Sequence, residues 1–279
     1  PAMNLRLRHP TRYTYTLPLL HTVQSLHLWP VSGPCQQVDA WALKSLVTLH
    51  GRTDALGNRV HHGSLALAHA TQPVLATEVV ASGHVNTLGV ADWCEEPHLP
   101  HPSLFLRSTL VTEPHVRMAT WASEVLGQPL PSLANGPTGV SQVLALATAV
   151  SQKVGYRKGQ TGVETVALEA FDWGLGVCQD QAHVKLAVCR SIGWPARYVS
   201  GYFYDAHEPD LASHAWVDVC VDVATRRWVS VDITHACLTD ERHVRVAVGT
   251  DYSTCPPIKG IRQGGGQESM AVDVSIQAV

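Results

Sequence analysis

Hydrophobic periodicity changes twice along this chain, and that limits it to an α+β fold. The opening "LRLRHPTRYTYTLP" sets Leu5 and Leu7 against Arg6 and Arg8, then Tyr13 and Tyr15 against Thr14 and Thr16. Such alternation is the signature of a half-buried strand. "LKSLVTLHG" and "ATEVVASGHVNTLG" read the same way, and "TDALGNRV" holds a turn from Asp54 to Asn58 in which Gly57 and Asn58 tolerate left-handed dihedrals. Short strands joined by turn signals predict a β-sandwich-like domain over residues 1–112. Residues 113–279 begin differently. "HVRMATWASEVLG" and "TGVSQVLALATAVSQKVGY" are helical, and each ends at or near a glycine. In "GVCQDQAHVKLAVCRSIGWP", Ala182, Leu186 and Ile192 fall with Cys178 and Cys189 largely on one helical face. Gly193 supplies a C-cap and Pro195 blocks continuation. "ARYVSGYFY", "SHAWVDVCVD", "RRWVSVDI", "HVRVAVG" and "ESMAVDVSIQAV" then return to strands, with "IRQGGGQ" read as a loop. The expectation is a helix starting at Cys178 and packed on an antiparallel sheet.

Composition removes several function classes. A net charge of −3 lacks the basic face of a general nucleic-acid binder. No apolar run reaches membrane-span length, so no membrane partner is expected. The first residues show no charged region followed by an apolar one, so no signal peptide is visible and a cytoplasmic protein is expected. The seven cysteines are odd in number and none has CxxC spacing, which points to free thiols rather than a disulfide framework or zinc ribbon. There are 16 histidines, but His61 and His62 are adjacent rather than four apart, a poor metal clamp. Neither a metal nor a cofactor is expected.

Cys178 is either a small buried filler or a nucleophile. Filler is the ordinary fate of a free cysteine. Against it, Gly174 and Gly176 let the backbone turn sharply just upstream. Cys178 also begins a helix, where the dipole and unpaired N–H groups favour a thiolate and can hold an oxyanion.

Partners follow from strand pairing. "SHAWVDVCVDVATRRWVSVDI" reads as a hairpin with its loop around Asp222 to Thr225. Centring it on Val223 places His214 opposite Asp232, Trp216 opposite Ser230 and Asp218 opposite Trp228. Opposed residues share a face with Cβ atoms about 5 Å apart. Asp232 can then hold the His214 imidazole while the other ring nitrogen faces Cys178. Taken singly, His214 reads as a satisfied strand histidine and Asp232 as a strand-end turn residue.

"GVCQDQAHVKLAVCRSIGWPARYVSGY", "SHAWVDV" and "WVSVDITH" together resemble the three motifs of the transglutaminase-like superfamily. The opening strand, "DALGN" and "HVRVAVGTDYSTCPPIKGI" are similar to its bacterial members with an N-terminal β domain. The resemblance implies a papain-like thiol fold with Cys178 as nucleophile, His214 as general base and acid, and Asp232 as orienter. Asp180 fits the subgroup's Cys-x-Asp pattern; it caps the helix or binds a substrate amine, capping being favoured because Asp suits first turns. Tyr156 supplies a hydroxyl to the oxyanion hole or packs. Trp216 shares a strand face with His214 and walls the cleft or packs in the core. Gln181 stands where the subgroup has an aromatic, which implies an altered acyl-side pocket.

The implied enzyme is a cysteine-dependent amide hydrolase or acyltransferase working through a thioester. Water as acceptor makes it a cysteine peptidase or amidase. An amine makes it a crosslinking transglutaminase, the second reading. Hydrolysis is favoured because the chain is small, carries no evident calcium-loop signature, and has only 6% aromatic residues, too few to suggest a deep acceptor tunnel. A non-catalytic binding module is the reading from another class; the presence of all three triad residues disfavours it. The substrate expected is a peptide, protein or polyamide. The N-terminal domain either presents substrate or forms a homo-oligomer surface.

Overall fold

The computed structural model describes residues 2–129, 132–134, 136–207 and 213–279. Seven strands come first: β1 (Met3–Tyr15), β2 (Leu19–Trp29), β3 (Gln36–Ser45), β4 (His50–Thr53), β5 (Arg59–Ala66), β6 (Ala76–Thr87) and β7 (Asp92–Cys94). The middle of the chain holds α1 (Val116–Leu126), α2 (Gly136–Lys153), β8 (Gly155–Tyr156), α3 (Ala167–Trp173), β9 (Leu175–Gly176) and α4 (Cys178–Ser191). After these run β10 (Ala196–Phe203), β11 (Ser213–Asp222), β12 (Arg227–Asp232), β13 (Cys237–Leu238), β14 (His243–Gly249), β15 (Ile258–Gly264), β16 (Glu268–Val272) and β17 (Ser275–Ala278). The fold is α+β, with an N-terminal β region followed by helices packed on an antiparallel sheet. Among the described residues no helix is long and apolar enough to cross a membrane.

The N-terminal strands form two antiparallel sheets, β16-β1-β6-β3 with β17 also on β1, and β15-β2-β5-β4. Alternation in β1 buries Leu5 and Leu7 and exposes Arg6 and Arg8. Leu26 and Leu28 of β2 pack with Val79 and Ala81 of β6, joining the two sheets. The turn at Asp54–Asn58 forms as its sequence dictates: Asp54 Oδ1 accepts from Leu56 N at 2.8 Å and Asn58 N at 2.9 Å, and Gly57 has φ +84°. Four strands cross the expected division at residue 112: β15, β16 and β17 complete the N-terminal sheets, while β7 joins the later sheet through β12. "IRQGGGQ" is not wholly a loop. Its first half is edge strand, with Ile261 level with Val23 and Gln263 level with His21. These residues alternate weakly because they are exposed on an edge.

The third large sheet runs β13-β12-β11-β10-β14. Its inner face, including Ala215, Val217, Val219, Val229 and Val231, packs on α4, and α1, α2 and α3 enclose that helix from other sides. The one-faced helix read from the sequence is therefore incomplete. Every residue of α4 from Asp180 to Arg190 is buried, the polar ones included. Lys185 Nζ donates to Val143 O at 3.0 Å, and Arg190 donates to backbone oxygens of Phe105, Ala196 and Thr250. Buried charge is tolerated where it is hydrogen-bonded. These anchors hold the helix that begins at Cys178.

Candidate active site

Cys178 is half-buried at the first position of α4, and the segment before it is pinned. β8 and β9 pair in parallel, with Tyr156 level with Gly176. Gly174 caps α3 in the left-handed region at φ +70°. Gly176 has a reason to be glycine beyond the sharp turn read in the sequence. A Cβ there would lie 2.5 Å from the Cβ of Asp180. Asp180 turns its carboxylate back, Oδ2 accepting from Val177 N at 2.8 Å and from the Thr161 hydroxyl at 2.6 Å. That is a first-turn cap, so Asp180 takes the capping role. Burial pushes its carboxyl above the usual range.

The hairpin puts the other two residues on one face, in a register different from the expected one. Asp218 is level with Ser230 rather than Trp228, and Cys220 takes Trp228. An irregularity between Cys220 and Asp222, with Arg226 at φ +55°, shifts the pairing by two residues. A two-residue shift preserves the face. His214 and Asp232 are thus diagonal rather than opposite, and still touch: Nε2 of His214 lies 2.8 Å from Asp232 Oδ2. A carboxylate only accepts, so Nε2 carries the proton, which leaves Nδ1 as the other ring nitrogen, and Cys178 interacts with the same imidazole and favours its charge.

Both partners are buried, and their charges sustain each other. Burial opposes charge on His214, but Asp232 and then Cys178 outweigh it, and the imidazole is pushed up to about 10. Burial likewise opposes charge on Asp232, yet the facing imidazoles hold its carboxyl well below the usual range. Two of those imidazoles were not singled out in the sequence. His235 donates to Asp232 twice, from its backbone N to Oδ1 at 3.1 Å and from Nδ1 to Oδ2 at 2.7 Å. His243 approaches from β14, with Nε2 2.9 Å from Oδ2. The spacing Asp232–His235, a tight turn after a strand, was the available signal for the first; the second arrives from a distant strand.

The remaining candidates separate. Tyr156 lies on the strand beside β9, two residues from the start of the Cys178 helix, and is half-buried. Trp216 is a core residue rather than an open cleft wall: it is 2% exposed and clusters with Val199 and Val248. Gln181 follows Asp180 in the first turn of α4. It is buried and ties the core together, donating to Val154 O at 2.8 Å and accepting from the Thr234 hydroxyl at 2.7 Å. His214, Asp232 and His235 offer ligand atoms within 4.8 Å of one another, a spacing suited to an ion. Nε2 of His214 and Nδ1 of His235 also lie within hydrogen-bond distance of the Asp232 carboxylate.

Residues 127–233, which hold Cys178, His214 and Asp232, match the transglutaminase-like superfamily. Residues 5–85 match the bacterial transglutaminase-like N-terminal region, which covers β1 to β5 and most of β6. An uncharacterized protein of Mycobacterium leprae is 29% identical over 98% of this chain and 98% of its own length. An uncharacterized protein of Mycobacterium tuberculosis is 34% identical over 48% of this chain and 45% of its own. The crystal structure of a candidate cysteine protease from Cytophaga hutchinsonii superposes with a TM-score of 0.76 at 19% identity, over 100% of this chain and 91% of that one. At that identity the likeness is one of fold.

Proposed function

We propose that this transglutaminase-like chain is a thiol-dependent amide-bond acyl-transfer enzyme, acting as a cysteine peptidase or amidase on a peptide or isopeptide-type amide. What supports this reading is the 2.8 Å contact between Nε2 of His214 and Asp232, with Cys178 at the start of α4 interacting with the same imidazole. The Cys178 thiolate attacks the amide carbonyl, and a C–S bond forms as the carbonyl π pair moves to oxygen. The Cys178 backbone N–H and the Tyr156 hydroxyl are assigned to that oxyanion. The C–N bond then breaks, His214 gives its Nδ1 proton to the departing amine, and a thioester remains. His214 next takes a proton from water, whose oxygen displaces the thiol and leaves a carboxylic acid. Asp232 keeps its charge throughout and fixes the tautomer.

Water is preferred as acceptor because the chain shows no calcium-loop signature and few aromatic residues. The fold it shares with a candidate cysteine protease supports the same choice. The test is mass spectrometry of glutamine-containing peptides incubated with the protein, with and without a primary-amine probe, using Cys178→Ala as control. New carboxylates that depend on Cys178 are expected, with no amine adduct. Amine adducts on glutamine would replace hydrolysis with crosslinking. No Cys178-dependent product, together with an unreactive Cys178, would favour a binding module.

A further inference from the structure

We propose that His243 is a positioning residue that clamps the Asp232 carboxylate so that Oδ2 stays on Nε2 of His214. The inference deepens the proposed function and rests on it. Asp232 ends a strand, where a carboxylate is free to rotate unless something from outside its own turn fixes it. His235 cannot fix it relative to the sheet, because it sits three residues away and moves with it; its side chain is also 23% exposed, so water competes for its hydrogen bond. His243 differs on both counts. It begins β14, level with Phe203 of β10, and its side chain is 2% exposed.

The ring of His243 is itself held from behind. Nδ1 accepts from Asp240 N at 3.1 Å and lies 3.0 Å from Asp240 Oδ1. Nε2 lies 2.9 Å from Asp232 Oδ2, and because a carboxylate only accepts, that contact is a hydrogen bond when Nε2 carries a proton. Asp240 is fixed in turn by Arg242, with Nη2 to Oδ2 at 2.6 Å. Phe203 packs against all three imidazoles, its ring centroid 4.1 Å from His235, 4.8 Å from His243 and 5.5 Å from His214.

The charged and titratable groups around this carboxylate enter the test. His214 faces Asp232 from β11, His235 from the following turn and His243 from β14, while Cys237 of β13 is level with it. Burial pushes the Cys237 thiol up to about 12, so it stays neutral over the working range. Asp240 and Arg242 stand behind His243, and Cys178 faces His214.

The experiment measures the rate of Cys178 labelling by iodoacetate against pH in the full chain, in wild type, His243→Leu and His243→Gln. Iodoacetate is an anion, so its reaction falls at alkaline pH as His214 loses its charge. With Leu, the alkaline fall is expected to move down by about one pH unit, the size of one lost charge-assisted hydrogen bond. Gln keeps an N–H for Asp232 and should retain the wild-type profile. An unmoved profile in the Leu variant overturns the inference, because a merely structural role lowers melting temperature without moving the fall. A fall moved upward also overturns it, since His243 would then be draining charge from Asp232. Nitrogen NMR of His243 in the unmodified chain decides the case even if the Leu variant fails to fold. A proton on Nε2 is expected, and a ring protonated only at Nδ1 refutes the clamp. Wild type with no preferential labelling at Cys178 would remove the proposed function, and the clamp with it; the outcomes above fall on the clamp alone.

Discussion

At Gly176, a hydrogen in place of a side chain lets the Asp180 carboxylate lie against the backbone ahead of Cys178. Gly176→Ala should cost about 1–3 kcal/mol, the usual range for overpacking a tight site, and should slow Cys178 labelling by displacing the cap. Chemical denaturation and labelling rates check the two effects separately. At Cys178, the imidazolium supplied by His214 is the second determinant. His214→Ala should lower Cys178 labelling about 100-fold or more at neutral pH, the usual contribution of a positioned acid–base group. Cys178, His214 and Asp232 were legible in the sequence because their motifs are local and their hairpin has a definite face. His243 was not, because its contact to Asp232 depends on how β14 folds back, and no local pattern encodes that.

Elements were legible wherever one face is buried. β1 and β6 alternate because they lie on a core, and α1 ends at Gly127 in the left-handed region, as its glycine signalled. α3 is short, offering about two turns of periodicity, and escaped the sequence reading. The β11–β12 register was legible only in its parity, because the irregularity near Cys220 and Asp222 is set by the loop. On the outer face of that hairpin Asp218 is buried between Arg245, at 2.6 Å, and Arg197, at 2.8 Å. The two arginines come from β14 and β10 and tie three strands to one carboxylate. Asp218→Ala should destabilise by about 3–5 kcal/mol, because both guanidinium groups lose a buried partner. Urea denaturation would show it as a lower midpoint with an unchanged slope. A cost near zero would mean that water replaces the carboxylate there.

In the whole molecule the ends of the chain meet, β15 pairing with β2, and β16 and β17 pairing with β1. Deleting residues 258–279 should therefore expose two strand edges and promote association, measurable by light scattering. Stability should also depend on pH in two directions. Burial lowers His9 and His183 to about 4, so both fold as neutral rings; the stability they hold above about 6.5 is lost as pH falls towards 4. His214 runs the other way. With a folded value of about 10, it contributes fully below about 6.5, and that contribution is lost as pH rises through 10. Asp232, held low, contributes above the ordinary carboxylate range and loses that contribution only in strong acid. Melting temperatures should peak near neutral pH, and His214→Ala should flatten the alkaline side.

The most direct measurement is mass spectrometry with peptide mapping after brief, substoichiometric iodoacetamide treatment near pH 6, with Cys178→Ala as control. Cys178 should be labelled well ahead of the other six cysteines, because it alone pairs with a charged imidazole at a helix N-terminus. Slow labelling spread over several cysteines would contradict an activated thiol at Cys178.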